Sequence, residues 1–171
     1  MAFKTPAYVF DVDCFIKTIT QFKKIIGDYS LTYSMKANPV LADYIPDDIS
    51  YIEVCSHGEF GICKNKGIDG RKIIYSGVLK KEEEVLEALK YGVMYITAES
   101  IGQFRMINRL SKALNVVAKV LIRFSSGNQF GVSMDDLVLI MDERNENDGI
   151  SIEGIHYYSG TQKKRADLIE R

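Results

Sequence analysis

The side chains of this sequence best placed to do chemistry are a lysine, a glutamate, an arginine and a histidine, each at or near the end of a β-rich run. Lys36 closes the run Leu31-Thr32-Tyr33-Ser34-Met35. By the two-residue period of a strand it shares a face with Thr32 and Ser34, opposite Leu31, Tyr33 and Met35. A polar face that ends in a lysine suits a ligand site better than a core. Glu53 shares a face with Tyr51 and Cys55, Arg123 ends Ala118-Lys119-Val120-Leu121-Ile122, and His156 shares a face with Tyr158. The last run leads into Ser159-Gly160-Thr161, where hydroxyls and a glycine in a strand-to-helix turn can hold a phosphate through side-chain and backbone donors. Together these features point to an anionic ligand. Position alone leaves plainer roles open. Lys36 can be a solvated or snorkelling lysine, and Glu53 and Arg123 can be members of structural ion pairs. Tyr157 and Tyr158 can be ordinary strand aromatics, and the Ser159-Gly160-Thr161 turn can be only a helix cap.

These positions depend on a chain that alternates short β-rich runs with helical patterns, as the βα units of a parallel sheet do. Strands are predicted at residues 8–10, 31–35, 49–54, 72–75, 94–97, 118–124 and 150–158. Between them apolar residues recur at the helical period: Phe15, Ile19, Phe22 and Ile26; Val85, Leu86 and Leu89; Phe104, Ile107, Leu110 and Leu114. Gly27, Gly67 and Gly92 stand where helices should stop. Ser100 and Ser133 stand where helices should start, the latter followed by Asp135 and Asp136 in the first turn. From the second strand onward the recurrence is roughly 20 to 30 residues, the size of a βα unit in an α/β barrel or a doubly wound sheet. In a barrel the site lies at the C-terminal ends of the strands, which is where the residues above fall. One leading strand and six βα-type strands do not close an eight-stranded barrel, and the sequence stops in the helix expected after the last strand. The expectation is an incomplete (β/α)8 TIM-type barrel of about six βα units, belonging to a longer polypeptide or completed by another chain.

Composition narrows the partners. The 171 residues, 46% hydrophobic and 11% aromatic, are ample for a packed core of one ordinary domain. With 22 basic and 23 acidic residues well mixed, and a net charge of -1, there is no electrostatic footprint for nucleic acid or an anionic membrane. Met1-Ala2-Phe3-Lys4-Thr5-Pro6 lacks the pattern of a signal peptide, and no apolar stretch approaches ~18 residues, so a cytoplasmic protein without a membrane role is expected. Cys14, Cys55 and Cys63 form no CxxC pair and read as reduced thiols. With only His57 and His156 in the chain, no metal site is indicated.

Beyond single residues, Tyr33-Ser34-Met35-Lys36-Ala37-Asn38-Pro39 resembles the Tyr-x-x-Lys-Ala-Asn segment of the pyridoxal-phosphate (PLP) enzymes built on the alanine-racemase-like barrel, above all the ornithine/diaminopimelate decarboxylase branch. Further segments are similar, and in the same order: Val54-Cys55-Ser56-His57-Gly58-Glu59, Tyr75-Ser76-Gly77-Val78-Leu79-Lys80, Arg123 with Gln129-Phe130-Gly131, and Gly154-Ile155-His156-Tyr157-Tyr158-Ser159-Gly160-Thr161-Gln162. The resemblance covers essentially the whole chain. It implies that Lys36 holds the cofactor as a Schiff base, that Glu53 and Glu59 are an acidic pair near the lysine and ring, and that Arg123 is a cofactor-side cation. Tyr158 stands where the family has a histidine that stacks on the pyridine ring, and Gly160 and Thr161 lie in the phosphate-binding segment, Thr161 in place of a serine. The implied activity is decarboxylation of a small amino acid of the diaminopimelate or ornithine type, in a parent enzyme that is usually a homodimer. The family's glycine-rich phosphate loop, the acid that pairs with the pyridine nitrogen and the C-terminal β-domain lie downstream of the segments present here. Residues 1–171 are therefore expected to be a partial PLP-binding barrel domain. Three alternatives stand beside this reading: a racemase, a PLP carrier on the same barrel, and a catalytically inactive fragment or subunit. Against a racemase, Lys36-Ala37-Asn38 runs into Pro39-Val40 and not into the Ala-Tyr-Gly-His of alanine racemases.

Overall fold

The computed structural model describes residues 4–161. Its frame is one parallel sheet whose six strands lie side by side in chain order: β1 (Thr32–Ser34), β2 (Tyr51–Val54), β3 (Ile73–Tyr75), β4 (Tyr95–Ala98), β5 (Ala118–Phe124) and β6 (Ile150–Tyr157). Helices fill the crossovers: α1 (Val12–Ile26) precedes β1, and α2 (His57–Asn65), α3 (Glu82–Tyr91), α4 (Ile101–Ala113) and α5 (Met134–Glu143) follow β2 to β5. The helix expected after β6 lies outside the described residues, as does Gln162 of the last motif.

Local chemistry sets these boundaries. Ser56, Ser100 and Ser133 accept hydrogen bonds from the backbone N–H groups of Glu59, Gln103 and Asp136, satisfying donors that the first helical turn leaves unpaired. At the end of α3, Gly92 takes φ 76°, a left-handed conformation that a Cβ would strain.

The leading strand expected at residues 8–10 does not form. Tyr8 and Val9 are fully or largely exposed, and Asp11 starts α1 directly by accepting from the Cys14 N–H at 2.8 Å. Aromatic and β-branched residues favour a strand only against a neighbouring strand and a packed face. Among the described residues β1 pairs with β2 alone, so residues 8–10 have neither.

One face of the sheet makes the core. Ile52, Val54, Ile73, Tyr75, Ile96, Ala98, Val120 and Ile122 are buried in a single cluster with helix residues that include Phe60, Val85, Phe104, Ile107 and Ile140. Each large side chain so buried contributes roughly 1.5–3 kcal/mol. Phe60 sets its ring edge-on to Tyr75 and Tyr91, both at 5.6 Å between centroids.

The intervening residues face the other way, and two features shape that inner face. The first is a bulge: Val120 pairs with Ile152, but Leu121 pairs with Gly154, so Glu153 is an extra residue in β6. Without it, the alternation that keeps Ile152 beside the core would also keep His156 there. With it, His156 pairs with Arg123 and shares its inner-facing phase. The second feature is curvature. Six flat strands would hold their outermost members about 24 Å apart. Yet Lys36, just after β1, places Nζ 5.9 Å from the ring centroid of Tyr158, just after β6. The sheet is curled like a barrel wall, and its sequential order is that of a (β/α)8 barrel rather than a doubly wound sheet, whose order reverses at a switch point. No helix among the described residues is long and apolar enough to cross a membrane.

Candidate active site

The C-terminal ends of the strands enclose a cleft of about 820 Å³. Below it, Thr32, Glu53, Thr97, Leu121 and His156 line a smaller cavity of about 250 Å³ on the inner face.

On one side the chain leaves β1 in a short 3₁₀ turn, Met35–Ala37, and Lys36 lies in that turn rather than in the strand. The turn is held from both sides. Met35 is wholly buried, the Tyr33 hydroxyl donates to the Asn38 carbonyl at 2.9 Å, and Asn38 Oδ1 accepts from the Val40 N–H. Lys36 is thereby presented to the cleft with its ammonium over the Tyr158 ring, a cation–π contact.

Glu53 lies beside it on β2. Its two oxygens accept from the Ser34 hydroxyl at 2.8 Å and the Ser76 hydroxyl at 2.7 Å. Burial pushes this carboxyl up, but the two hydroxyl bonds and the charges of Lys36 and His156 outweigh burial and hold it below the usual carboxylate value. Glu59, the other acid expected here, is placed differently. Its carboxylate accepts from the Cys55 N–H at 2.8 Å, and it is not among the residues lining the cleft.

On the far side, Arg123, next to last in β5, meets Glu99, which follows β4. Arg123 Nη1 donates to both carboxylate oxygens at 2.8 and 2.9 Å, and the side chains are 13% and 4% exposed. The loop after β5 folds back, the Val132 N–H donating to the Arg123 carbonyl at 2.8 Å, and sets the Phe130 ring 5.0 Å from the guanidinium. Gly131 makes this return possible. Its φ is 81°, and a Cβ there would lie 2.6 Å from the Arg123 carbonyl oxygen.

His156 faces both the cleft and the inner cavity. Burial and the positive charges of Arg123 and Lys36 push its imidazole below the ordinary histidine value, against the opposing pull of Glu53 and Glu99. Its Nδ1 is buried and has no hydrogen-bond partner among the described residues. Thr161 also lines the cleft, and Gly160 before it has φ 101°.

The structure thus brings Lys36, Glu53, Arg123, Tyr158 and Thr161 around one cleft, with Gly160 adjoining, and places Glu59 at the start of α2. Sequence reasoning missed Ser34 and Ser76 as the groups that hold Glu53, and Glu99 as the partner of Arg123. Glu99 had a signal: it lies two residues beyond Thr97, on the face that β4 turns to the inner cavity.

The donor set matches a planar, anionic, carbonyl-bearing aromatic group. There is an amine for the carbonyl, an aromatic face for the ring, an unpartnered imidazole nitrogen for a polar substituent, and cations and a hydroxyl for the anion. Comparison with known proteins agrees. Residues 12–170 match the family model described as pyridoxal-dependent decarboxylase, pyridoxal binding domain. The chain is 27% identical to a diaminopimelate decarboxylase of Bacteroides thetaiotaomicron over 179 residues, 93% of this chain and 46% of that protein. It is 30% identical to an L-glutamyl-(BtrI acyl-carrier protein) decarboxylase of Niallia circulans over 184 residues, 98% of this chain and 43% of that protein. Among solved structures, diaminopimelate decarboxylase of Helicobacter pylori complexed with L-lysine superposes with a TM-score of 0.79 at 25% identity, covering 94% of this chain and 45% of that one. The chain therefore spans under half the length of these relatives. Motif order, the curled parallel sheet and the match over residues 12–170 converge: the chain belongs to the pyridoxal-dependent decarboxylases, as their pyridoxal-binding domain.

Proposed function

We propose that this chain is the cofactor-holding part of a PLP-dependent amino-acid decarboxylase of the diaminopimelate/ornithine type, with Lys36 as the residue that holds the cofactor. The observation that carries this reading is the approach of Lys36 Nζ to the Tyr158 ring from opposite edges of the sheet, within a cleft that also contains Glu53 and Arg123. When bound, PLP supplies an electron sink for the pair left behind as an amino acid loses its α-carboxylate as CO2.

The chain's own residues prepare the cleft for that chemistry. Lys36 provides a primary amine on a pinned turn, and its neighbour Glu53, kept ionised by Ser34 and Ser76, balances its charge. Tyr158 offers a flat aromatic face, which suits stacking, with a phenol where the family has an imidazole. His156, held below its ordinary value, is neutral at pH 7 and can accept or donate a proton at the base of the cleft. Arg123 gives the far wall a cation, and Thr161 gives it a hydroxyl.

The names of the relatives support an amino-acid substrate with a free α-amino group, either free, as for the diaminopimelate decarboxylases, or carrier-linked, as for the L-glutamyl-(BtrI acyl-carrier protein) decarboxylase. The relatives' greater length supports a larger parent in which residues 1–171 are a partial barrel domain and a further domain completes the site, and we infer that this parent is a homodimer.

Borohydride trapping tests the assignment. Protein incubated with PLP and reduced should gain one phosphopyridoxyl group, mapped by peptide mass spectrometry to Lys36, and Lys36→Ala should lose it. Trapping that persists unchanged in Lys36→Ala would overturn the assignment.

A further inference from the structure

One buried cation is left over by the reading above. Lys80 is only 6% exposed, and among the described residues it forms no ion pair. Its ammonium instead donates to neutral oxygens: the Gly77 carbonyl, Thr97 Oγ1 at 3.2 Å and Gln103 Oε1 at 3.4 Å. Gln103 ties the same region together, its Nε2 donating to the Val78 carbonyl at 2.7 Å and its Oε1 accepting from the Glu99 N–H. The Gly77 turn is pressed close to β2, since a Cβ on Gly77 would lie 2.8 Å from the Cys55 carbonyl oxygen. Val78 and Leu79, between Gly77 and Lys80, line the cleft. Lys80 is thus the hub joining the turn after β3 to β4 and α4, near enough to the Glu99–Arg123 pair to feel both charges.

A charge placed there without a carboxylate of its own has a consequence. Glu99 is matched by Arg123, so Lys80 leaves this wall with two cations facing one carboxylate. A buried cation with neutral ligands is costly to keep, and its field is poorly screened.

We propose that Lys80 is a positioning residue for the cofactor: it fixes the Gly77–Leu79 turn and makes the Glu99–Arg123 wall net positive, drawing an anionic ligand to Arg123. This rests on the reading of the cleft as a cofactor site. The groups that face the ammonium are Glu99 and Cys55, which favour its charge, and Arg123, which opposes it. Burial, the dominant cause, together with Arg123 outweighs the pull of Glu99 and Cys55 and brings Lys80 down to about 8. The wall therefore carries its excess charge at pH 7 and loses it just above, as Lys80 gives up its proton.

The test is equilibrium binding of pyridoxamine 5′-phosphate, which has no aldehyde to condense with Lys36, to the full-length protein that carries this domain, between about pH 6.5 and about pH 9.5. Comparing variants with wild type cancels the titration of the ligand itself. Lys80→Met, with its near-ultraviolet circular dichroism intact, should bind roughly tenfold more weakly at pH 7, the effect of losing one charge-assisted contribution. It should also lack the fall in affinity that wild type shows through pH 8. Lys80→Arg should keep the affinity at pH 7 and hold it beyond pH 8. Equal affinity and an equal pH profile in wild type and Lys80→Met would overturn the proposal. If Lys80→Met does not fold, a parallel profile in wild type and Lys80→Arg across pH 8 overturns it instead. Failure of wild type to bind at any pH would instead sink the cofactor-site reading itself, and the role of Lys80 with it.

Discussion

Removing Arg123 should expose how much of this wall depends on a single ion pair. Arg123 donates twice to Glu99, at 2.8 and 2.9 Å, and both side chains are largely shielded from water. Arg123→Met keeps the aliphatic bulk but leaves the Glu99 carboxylate buried without its donor. Breaking a buried pair from one side costs about 3–5 kcal/mol, because the remaining charge has lost water and gained nothing. Lys80 attracts Glu99 without contacting it, which places the expected loss near the lower end, about 3 kcal/mol. The converse change, Glu99→Leu, should cost a similar amount, since it leaves Arg123 and Lys80 facing one another as buried cations. The double variant removes both unpaired charges, and its loss should be about 1–2 kcal/mol, smaller than either single loss. Urea unfolding followed by tyrosine fluorescence reads these values directly, because the chain has 10 tyrosines and no tryptophan. Two results would refute the reasoning: a loss below about 1 kcal/mol for Arg123→Met, or single losses that simply add in the double variant.

Two neighbouring substitutions test other supports of the cleft. Ser76→Ala removes a 2.7 Å donor from Glu53 and should cost about 2 kcal/mol at neutral pH. Because Glu53 sits below its ordinary 4.5 in the folded chain, its contribution is complete above that value and is lost as pH falls through the folded one. The substitution raises the folded value, so the acid-unfolding midpoint should move to higher pH, and an unmoved midpoint would count against this role. Gly131→Ala should cost roughly 1–3 kcal/mol, through positive φ and the approach to the Arg123 carbonyl, and should lift Phe130 off the guanidinium. Thermal melts and the Phe130 ring-proton shifts report both effects, and an unchanged melt would contradict the strain argument.

Much of the frame could be read in advance because it is written in local chemistry. Ser100 and Ser133 cap the helices they were expected to cap, and Gly92 stops α3 with the left-handed φ its position required. Lys36 was expected beside Ser34, and both line the cleft, but Lys36 reaches it from the turn after β1 and not through strand parity. What escaped was whatever depends on a partner distant in sequence. Residues 8–10 have strand-like side chains and no strand to pair with. The extra Glu153 in β6 reverses the phase of the strand, and nothing in Ile150-Ser151-Ile152-Glu153-Gly154 marks which residue is skipped. Lys80 closes a segment similar to the family's, with no role written in its own stretch of chain. Only the packing of β4 and α4 over it shows that it is buried.

The strand order bears on how the cleft comes into being during synthesis. Each strand pairs with its predecessor in the chain, so each βα unit emerging from the ribosome finds a finished edge to join, and the loops that must close stay short. The cleft does not share this stepwise growth. Lys36 follows the first strand laid down and Tyr158 follows the last, and they meet only when β6 has docked and the sheet has curled. A nascent chain can hold most of its core while having no place for a cofactor, so capture of the cofactor marks the completion of the arc rather than the start of its folding.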